Sequence, residues 1–488
     1  MAPVPSPASR VLVGDVNPKR WWLLGLCLIC TFMTVMDIGI AVVALPSIGH
    51  ALRSGPDQVQ WVISGYALTF GIVPTIAGRL GDDLGQRPVL AMGICGFSLL
   101  SLMSGLAPTA LVLVTGRILQ GATAGLIQPQ VVGLVHRTFF GRERGTAFGL
   151  VGLATAIGTA AGPVLGGLIL FAAGPGTGWR VLFLINVPFG CAALAMCLTL
   201  TARKPRKRPR VRLDVVGVIL LSVGLFGLLF SAIELNTHID YRLALIAVVA
   251  LVILAVLYRW EAGGARRRGF PLIDVDLFGI PTYRNGVAIA FLYSAGYQAE
   301  PLLLTLFLQE GLRFTPLGAG LAAAPVAVGA ALSAPLAGRL LQKAGRRLVV
   351  RGLVLFTAGT TLAAITAVAV TRVAPSLMGL AFIAPFFIAG IGGGWVLHPN
   401  QALTLEDIDV AHGSAAGGLI QAGQRLGGAI GTAVSSTVFY LIASTAGRLP
   451  GSAHDRIYSD GFAVASAMVV VFTAMGCVIA ARDARNRR

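Results

Sequence analysis

TAFGLVGLATAIGTAAGPVLGGLILF, residues 146–171, is an apolar run long enough to cross a bilayer as one helix. Glycine and proline are unfavourable inside helices, and a membrane helix tolerates them where a neighbour packs closely or a kink is useful. Three of its glycines recur every fourth residue and share one face, whereas another lies about 180° round the helix. Close packing on a single face therefore does not explain the whole pattern, Gly149-x8-Gly158-x3-Gly162-Pro163-x2-Gly166-Gly167.

The composition of the chain indicates that lipid is its solvent. Of 488 residues, 56% are hydrophobic and 12% are charged, and the charged share is roughly half that of a globular protein. A net charge of +18 often indicates nucleic-acid binding, but here the basic residues lie in short loops between apolar segments, which excludes it. The six cysteines lie within apolar runs, so we expect small buried side chains and no metal site.

Apolar segments of about 20 residues recur along the chain and predict an all-α integral membrane protein with 14 spans. With the N-terminus inside, 29 of the 38 Lys and Arg fall on the cytoplasmic side, seven on the other side and two within spans. This bias predicts that both termini are cytoplasmic. The spans lie near 21–46, 59–79, 88–107, 110–135, 146–171, 179–201, 214–233, 241–259, 285–309, 317–341, 348–371, 375–402, 414–445 and 461–481.

An internal repeat divides the chain into two halves. Gly78-Arg79-Leu80-x4-Gly85-x-Arg87 recurs as Gly338-Arg339-Leu340-x4-Gly345-x-Arg347, and repeats at this scale are common in transporters, whose site lies between the halves. We predict a six-helix bundle at 1–201, a two-helix insert at 202–262 and a second six-helix bundle at 263–488. Two loops between these units are predicted to contact the membrane. The basic run 203–212 is predicted to anchor the chain near anionic headgroups, and the segment 260–284 is predicted to lie at the membrane surface.

Few ionisable residues lie inside the spans, where they are unfavourable and usually functional. At about 1.5 Å per residue, Asp37 and Glu300 lie roughly 13 Å from the ends of spans 1 and 9, and Arg117 lies roughly 10 Å into span 4. We therefore predict two carboxylates on either side of a central cavity, with an arginine near one of them. His398 and Arg425 are the other ionisable groups at membrane depth.

This arrangement offers a mechanism for proton coupling. Burial favours the protonated form of a carboxylate, and a nearby arginine favours the charged form, so a balanced group can load and release a proton. A cationic substrate that competes for the same carboxylate would make the exchange obligatory. Three alternatives stay open: a static ion pair between Asp37 and Arg117, a water-facing Glu300, and a structural role for His398 and Arg425, bonded to carbonyls or to polar neighbours.

The motifs also resemble those of a known family, and they follow one another in chain order. Together they make nearly the whole chain similar to the fourteen-span drug:proton antiporter family of the major facilitator superfamily (EmrB/QacA type). The motifs are Asp37-x6-Ala44-Leu45-Pro46, Gln60-Trp61, Gly78-x3-Asp82-Asp83-Leu84-Gly85-Gln86-Arg87, Arg117-x2-Gln120-Gly121, the glycine pattern of span 5, Asn186-x-Pro188 and Gln424-Arg425-Leu426-Gly427-Gly428.

Four positions depart from the family pattern. Gly39 and Val42 stand where the family has Thr and Asn, so polar contacts near Asp37 are expected to differ. Asp83 and Gln86 each replace an expected Arg in the first inner loop. The charge-relay latch of that loop is therefore expected to be altered.

The resemblance implies alternating access, with export coupled to proton entry. Gly78, Asp82, Gly85 and Arg87 would form a latch that holds the outward-open state at the inner face, and Arg117 would take part in proton transfer. The span-5 glycines would let that helix slide or bend and would limit proton leak. Further polar candidates for the cavity are Gln120, Gln128, His398, Gln424 and Arg425.

We therefore expect a proton-coupled multidrug efflux antiporter of the bacterial inner membrane, exporting small amphipathic compounds that are cationic or lipophilic. It would use the proton gradient without a cofactor, contact membrane lipids and act as a monomer. The alternatives are an exporter of a lipid or cell-envelope intermediate and an uptake symporter on the same fold. An enzyme would need clustered His, Asp or Cys at one depth, and a nucleotide-driven pump would need a Walker-type loop. The sequence shows neither feature.

Overall fold

The computed structural model describes residues 18–200, 214–234, 241–265, 275–446 and 452–486, and within these ranges all regular secondary structure is helical. The basic run at 203–212 and residues 266–274, the middle part of the proposed surface segment 260–284, lie outside the described residues. Predictions about these two segments therefore stay predictions.

Helices of 15 to 44 residues make up most of the described chain, and short 3₁₀ or π turns extend or link them. Helix α5 contains a break at Gly174, which has φ 75°. The first half comprises α1 Arg20–Leu52, α2 Pro56–Leu84, α3 Gln86–Gly105, α4 Ala110–Thr138, α5 Gly141–Leu184 and α6 Asn186–Leu200. The insert comprises α7 Val215–Glu234 and α8 Tyr241–Trp260. The second half comprises α9 Pro281–Thr305, α10 Pro316–Ala344, α11 Arg346–Val373, α12 in three pieces (Met378–Ala381, Ile383–Gly394 and Leu397–Thr404), α13 Gly413–Ala443 and α14 Ser452–Asn486.

Twelve helical segments of the described chain are long and apolar enough to cross a membrane. Two further helices are not among these twelve: α7, Val215–Glu234, and α9, which carries Arg284, Gln298 and Glu300. An all-helical fold with about twelve apolar membrane-spanning helices is therefore confirmed. The count of 14 spans stays a prediction.

The helices of each half pack mainly on one another, and a few helices join the halves. In the first half α1 packs on α5 and α2 on α4, and in the second half α9 packs on α13 and α11 on α14. Between the halves, α2 and α4 meet α13, while α5 meets α10 and α12. Two seams therefore connect the halves, one along α2 and α13 and one along α5 and α10.

The insert packs beside the first of these seams. Helix α7 contacts its partner α8 and also both α2 and α13. Its Leu221, Leu225 and Leu229 form one apolar cluster with residues of α2, and Leu426 of α13 packs against that cluster. The insert therefore covers the seam between α2 and α13.

One end of the helix bundle, here called the terminal face, carries the start of α1 and the end of α14. An ion pair of 2.7 Å joins Arg20 to Glu143 there, and one of 2.6 Å joins Arg346 to Asp483. The glycines of the internal repeat occupy turns at this face, with φ of 96° at Gly85 and 50° at Gly345. Positive φ favours glycine, which explains its presence in both copies of the repeat.

Candidate functional site

The repeated glycines of α5 allow close packing against α1. A Cβ atom at Gly162 would lie 2.8 Å from Gly39 Cα, and one at Gly158 would lie 3.1 Å from the carbonyl oxygen of Phe32. A Cβ atom at Gly166 would meet the Val43 side chain at 3.2 Å. Gly39, which stands where the family has Thr, thus lies where the two backbones cross. A side chain there would push the helices apart.

Gly149 faces the other half of the protein. A Cβ atom added to it would lie 2.9 Å from the carbonyl oxygen of Ala334 and 3.2 Å from Gly338 Cα, both in α10. One turn earlier, Gly145 approaches the same Gly338. Helix α5 therefore uses glycines on two faces: one face packs within its own half, and the other joins the two halves near the terminal face.

Asp82 closes the second seam at the terminal face. Its carboxylate accepts hydrogen bonds from the backbone N–H groups of Ser414, at 3.1 Å, and Ala415, at 2.8 Å. These groups belong to the first turn of α13, where the helix dipole favours a negative charge. Gly78 packs against the same turn. In this conformation the halves are thus held together at the terminal face.

The neighbours of Asp82 divide between the halves. The Gln86 side-chain amide donates a 3.0 Å hydrogen bond to Ser414 Oγ, so the residue that replaces an expected Arg reaches the second half. Asp83 pairs instead with Arg79 of its own helix at 3.2 Å. Arg87 donates to the Leu198 carbonyl of α6 at 2.7 Å, within the first half. Of the residues 78–87, Asp82 and Gln86 are therefore the ones whose side chains bond to the second half.

Asp37 and Arg117 form an ion pair inside the first half. Arg117 Nη1 lies 2.5 Å from Asp37 Oδ2, and both residues have no exposed surface. The Arg117 guanidinium also donates to the Val62 carbonyl at 3.1 Å and to Gln120 Oε1 at 3.0 Å. Its centre lies 4.3 Å from the centroid of the Tyr66 ring. Every side of the cation is therefore occupied by protein.

Two amides complete the hydrogen bonding of Asp37. Asn186 of α6 donates to Asp37 Oδ1 at 2.7 Å, and Gln120 donates to the same oxygen at 3.3 Å. Both amides also contact Ser101 Oγ of α3. The sequence marked Asn186 only as part of a family motif and did not single out Ser101. Ser101 is one of three serines in α3, with Ser98 and Ser104, so nothing in the sequence set it apart.

Glu300 lies in the second half, between α9 and α11. Thr360 Oγ1 donates a 2.5 Å hydrogen bond to its Oε2. Its other oxygen, Oε1, is buried and has no hydrogen-bond partner within the described part of the chain. Glu300 is 5% exposed and Asp37 has no exposed surface in this conformation. The structure places the two carboxylates in separate halves, and their position on either side of a central cavity stays a prediction.

Arg425 lies between the halves at mid-membrane depth. Its guanidinium centre is 4.0 Å from the ring centroid of Phe70, which is the middle residue of the 29-residue helix α2. The ion pairs among the described residues do not include Arg425, and among the same residues its guanidinium makes no hydrogen bond to a polar neighbour such as Gln424. An unneutralised charge at this depth costs at least ~2.5–3.5 kcal/mol, which marks it as a functional candidate.

The remaining polar candidates make separate contacts, those of Gln128 and Gln424 within one half and that of His398 between the halves. Gln128 donates to Thr34 Oγ1 at 2.6 Å, and the backbone oxygen of Gln424 accepts from Gln298 at 3.4 Å. The His398 ring packs against Gly152 of α5, and within the described ranges both its buried nitrogens are without a hydrogen bond. A search of the described residues finds no group of three or more His, Cys, Asp or Glu that could hold a metal ion.

Comparisons with known proteins show which family the chain resembles in sequence and fold. The profile described as Major Facilitator Superfamily matches residues 27–432. The chain is 32% identical over 439 residues to a probable actinorhodin transporter of Streptomyces coelicolor, covering 89% of this chain and 75% of that protein. It is 30% identical over 477 residues to the puromycin resistance protein pur8 of Streptomyces alboniger, covering 94% and 91%. The human organic anion transporter MFSD10 (TETRAN) has the same fold, with a TM-score of 0.66, 14% identity and coverage of 94% and 100%.

Proposed function

Because the chain belongs to the major facilitator superfamily, we propose that it is a proton-coupled antiporter that exports amphipathic compounds by alternating access. The predicted family and its efflux function are confirmed by relatives named for transport and drug resistance, and these names describe transporters, not enzymes. Coupling to protons and the assignment of individual residues are the parts that we add.

The proposal includes a membrane topology. We propose 14 spans, formed by two six-helix bundles, residues 1–201 and 263–488, and the two-helix insert at 202–262. The terminal face is cytoplasmic, because the positive-inside rule assigns 29 of the 38 Lys and Arg to that side. The transporter then lies in the bacterial plasma membrane with both termini inside and acts as a monomer that uses the proton gradient without a cofactor.

The observation that carries the proposal is the buried pair of Asp37 and Arg117. A carboxylate with no exposed surface is bonded to one cation and two amides. Protonation of Asp37 removes the attraction to Arg117 and weakens the links between α1, α4 and α6. The protonation state is thereby coupled to how these helices pack, which is the requirement for an exchanger.

The contacts between the halves supply the conformational change. In the observed state Asp82 binds the start of α13 and Gly149 packs on α10, so the path is closed at the cytoplasmic side. When these contacts break, the halves can separate there. The glycine faces of α5 let that helix shift with little steric resistance.

The energetics suffice for export against a gradient. Membrane potential supplies ~2.3 kcal/mol per charge per 100 mV, and each pH unit supplies ~1.4 kcal/mol. A gradient of one pH unit therefore supports about tenfold accumulation of a neutral substrate for each proton exchanged.

The test is transport in proteoliposomes with an imposed pH gradient. Wild-type protein should move an amphipathic dye against its gradient only while the proton gradient lasts, and Asp37→Asn should abolish this movement. Glu310→Gln is the matched control, because Glu310 is an exposed carboxylate that lies just after the C-terminal end of α9. A rate of dye transport that is the same with and without the proton gradient would refute coupling. Movement in the same direction as the protons would instead favour the uptake symporter.

A further inference from the structure

We infer that Arg425 is an anion-binding group in the transport pathway, and that the exported compounds include amphipathic anions. This inference rests on the proposed function and gives the charge of its substrate. It departs from the expectation of a cationic substrate, which was based on the buried carboxylates.

The first argument is the state of the other charges at this depth. Asp37 is already neutralised by Arg117 and two amides and has no exposed surface. Glu300 is buried within the second half and is bonded to Thr360. In this conformation neither carboxylate can meet a cationic substrate. Arg425, by contrast, is partly exposed.

The second argument is the geometry around Arg425. Arg425 projects from α13 towards α2. A Cβ atom added to Gly71 of α2 would lie only 3.7 Å from the Cβ atom of Arg425. The guanidinium centre lies over the Phe70 ring, 4.0 Å from its centroid. The ion pairs among the described residues do not include Arg425, so its N–H groups are available to bind two oxygens of a carboxylate or sulfonate.

The third argument is the pair of aromatic rings beside this cation. Phe70 and Tyr66 pack edge to face, with ring centroids 5.5 Å apart. Both rings are buried, at 1% and 2% exposure, so an aromatic ring joined to an acidic group would contact them only when the halves separate, while its charge meets Arg425. Tyr66 also lies over Arg117, so the proposed subsite adjoins the pair to which we assign proton coupling.

The direction of transport agrees with a negative substrate. A membrane potential that is negative inside favours the exit of an anion, whereas it opposes the exit of a cation. An arginine, which stays charged at every physiological pH, provides a constant attraction for such a substrate.

Binding of two matched dyes tests the inference. 8-Anilinonaphthalene-1-sulfonate is an aromatic anion, and N-phenyl-1-naphthylamine is the same skeleton without the sulfonate. Equilibrium dialysis against the full chain in nanodiscs, corrected with empty nanodiscs, gives the affinity for each. We expect Arg425→Gln to weaken binding of the sulfonate by about 10- to 100-fold, as for loss of a charged hydrogen bond, and to leave the neutral dye unchanged.

Two further variants separate recognition from folding. Arg425→Lys keeps the charge and should retain much of the sulfonate binding, and Arg372→Gln removes an exposed charge at the end of α11 and should change neither dye. Unchanged sulfonate affinity in Arg425→Gln would overturn the inference, and so would an equal loss of both dyes. Wild-type protein that binds only the neutral dye would also overturn it. Failure of proton-driven transport would count against the proposed function alone, because dye binding needs no gradient.

Discussion

Asp82→Asn should shift the protein towards the state that is open at the terminal face. The carboxylate accepts two hydrogen bonds from the start of α13, at 3.1 and 2.8 Å, and they join the two halves. An asparagine keeps the size of the side chain and one acceptor oxygen but loses the charge. The variant therefore weakens the closed state without changing the packing of either half.

The magnitude follows from these two bonds. A hydrogen bond to a charged group contributes about 1.5–3 kcal/mol and a neutral one about 0.5–1.5 kcal/mol, and the helix dipole adds about 0.3–1 kcal/mol. Allowing for the partial exposure of Asp82, replacing one charged bond by a neutral one and losing the other costs about 1–2 kcal/mol. The ratio of open to closed protein should rise about 5- to 30-fold.

Distances between spin labels measure this ratio. Arg142 at the start of α5 and Arg339 near the end of α10 are exposed on opposite halves of the terminal face. Labels attached through Arg142→Cys and Arg339→Cys, in a chain without its native cysteines, report separation of the halves as a longer distance. We expect the long-distance population to grow in Asp82→Asn.

The neighbouring carboxylate provides the control for this experiment. Asp83 pairs with Arg79 of the same helix, at 3.2 Å, and does not join the halves. Asp83→Asn should therefore leave the distances as in the parent chain. An equal shift in both variants, or no shift in Asp82→Asn, would refute the assignment of Asp82 as the cross-half contact.

Three further predictions concern the helix crossing and the buried carboxylates. Gly162→Ala should lower the free energy of unfolding by about 1–3 kcal/mol through overpacking, whereas Gly167→Ala, which has open space around it, should be near neutral in the same thermal melts. Asp37→Asn should cost about 3–5 kcal/mol by leaving Arg117 buried and unpaired; a second change, Arg117→Gln, should restore most of that stability but not proton-driven export, and full recovery of export would count against the coupling role. Glu300→Gln keeps the size and one acceptor of the side chain, so its melting temperature should stay within about 4 °C of wild type while proton-driven export falls at least tenfold; normal export would remove Glu300 from the pathway.

The sequence predicted helix packing most directly where the size of the residues limits how closely two backbones can approach. Glycines at every fourth residue of α5 predicted one close-packed face, and the position of Gly149 showed that this face could not explain the whole pattern. The structure supplies both partners: α1 for the first face and Gly338 of α10 for Gly149. Small residues constrain how near a neighbour comes, so spacing alone locates such faces.

The surroundings of the charged groups were harder to predict. Counting residues along a helix gives the depth of a side chain but not its direction, because direction depends on how each helix is rotated in the bundle. Depth placed Asp37 near Arg117, and the structure joins them at 2.5 Å. Depth alone could not predict that the Asp37 side chain points into its own half. It also could not predict that the Arg425 guanidinium lies over the Phe70 ring and makes no bond to a nearby amide.

The insert gives the two flanks of the molecule different access to the bilayer. Leucines of α7 fill the groove between α2 and α13, so a molecule dissolved in the lipid meets a wall of side chains on that flank. On the opposite flank the described residues place α5 directly against α10, without an additional helix over them. Lipid-soluble cargo that travels sideways from the membrane would therefore meet less obstruction on this flank than on the flank that the insert covers.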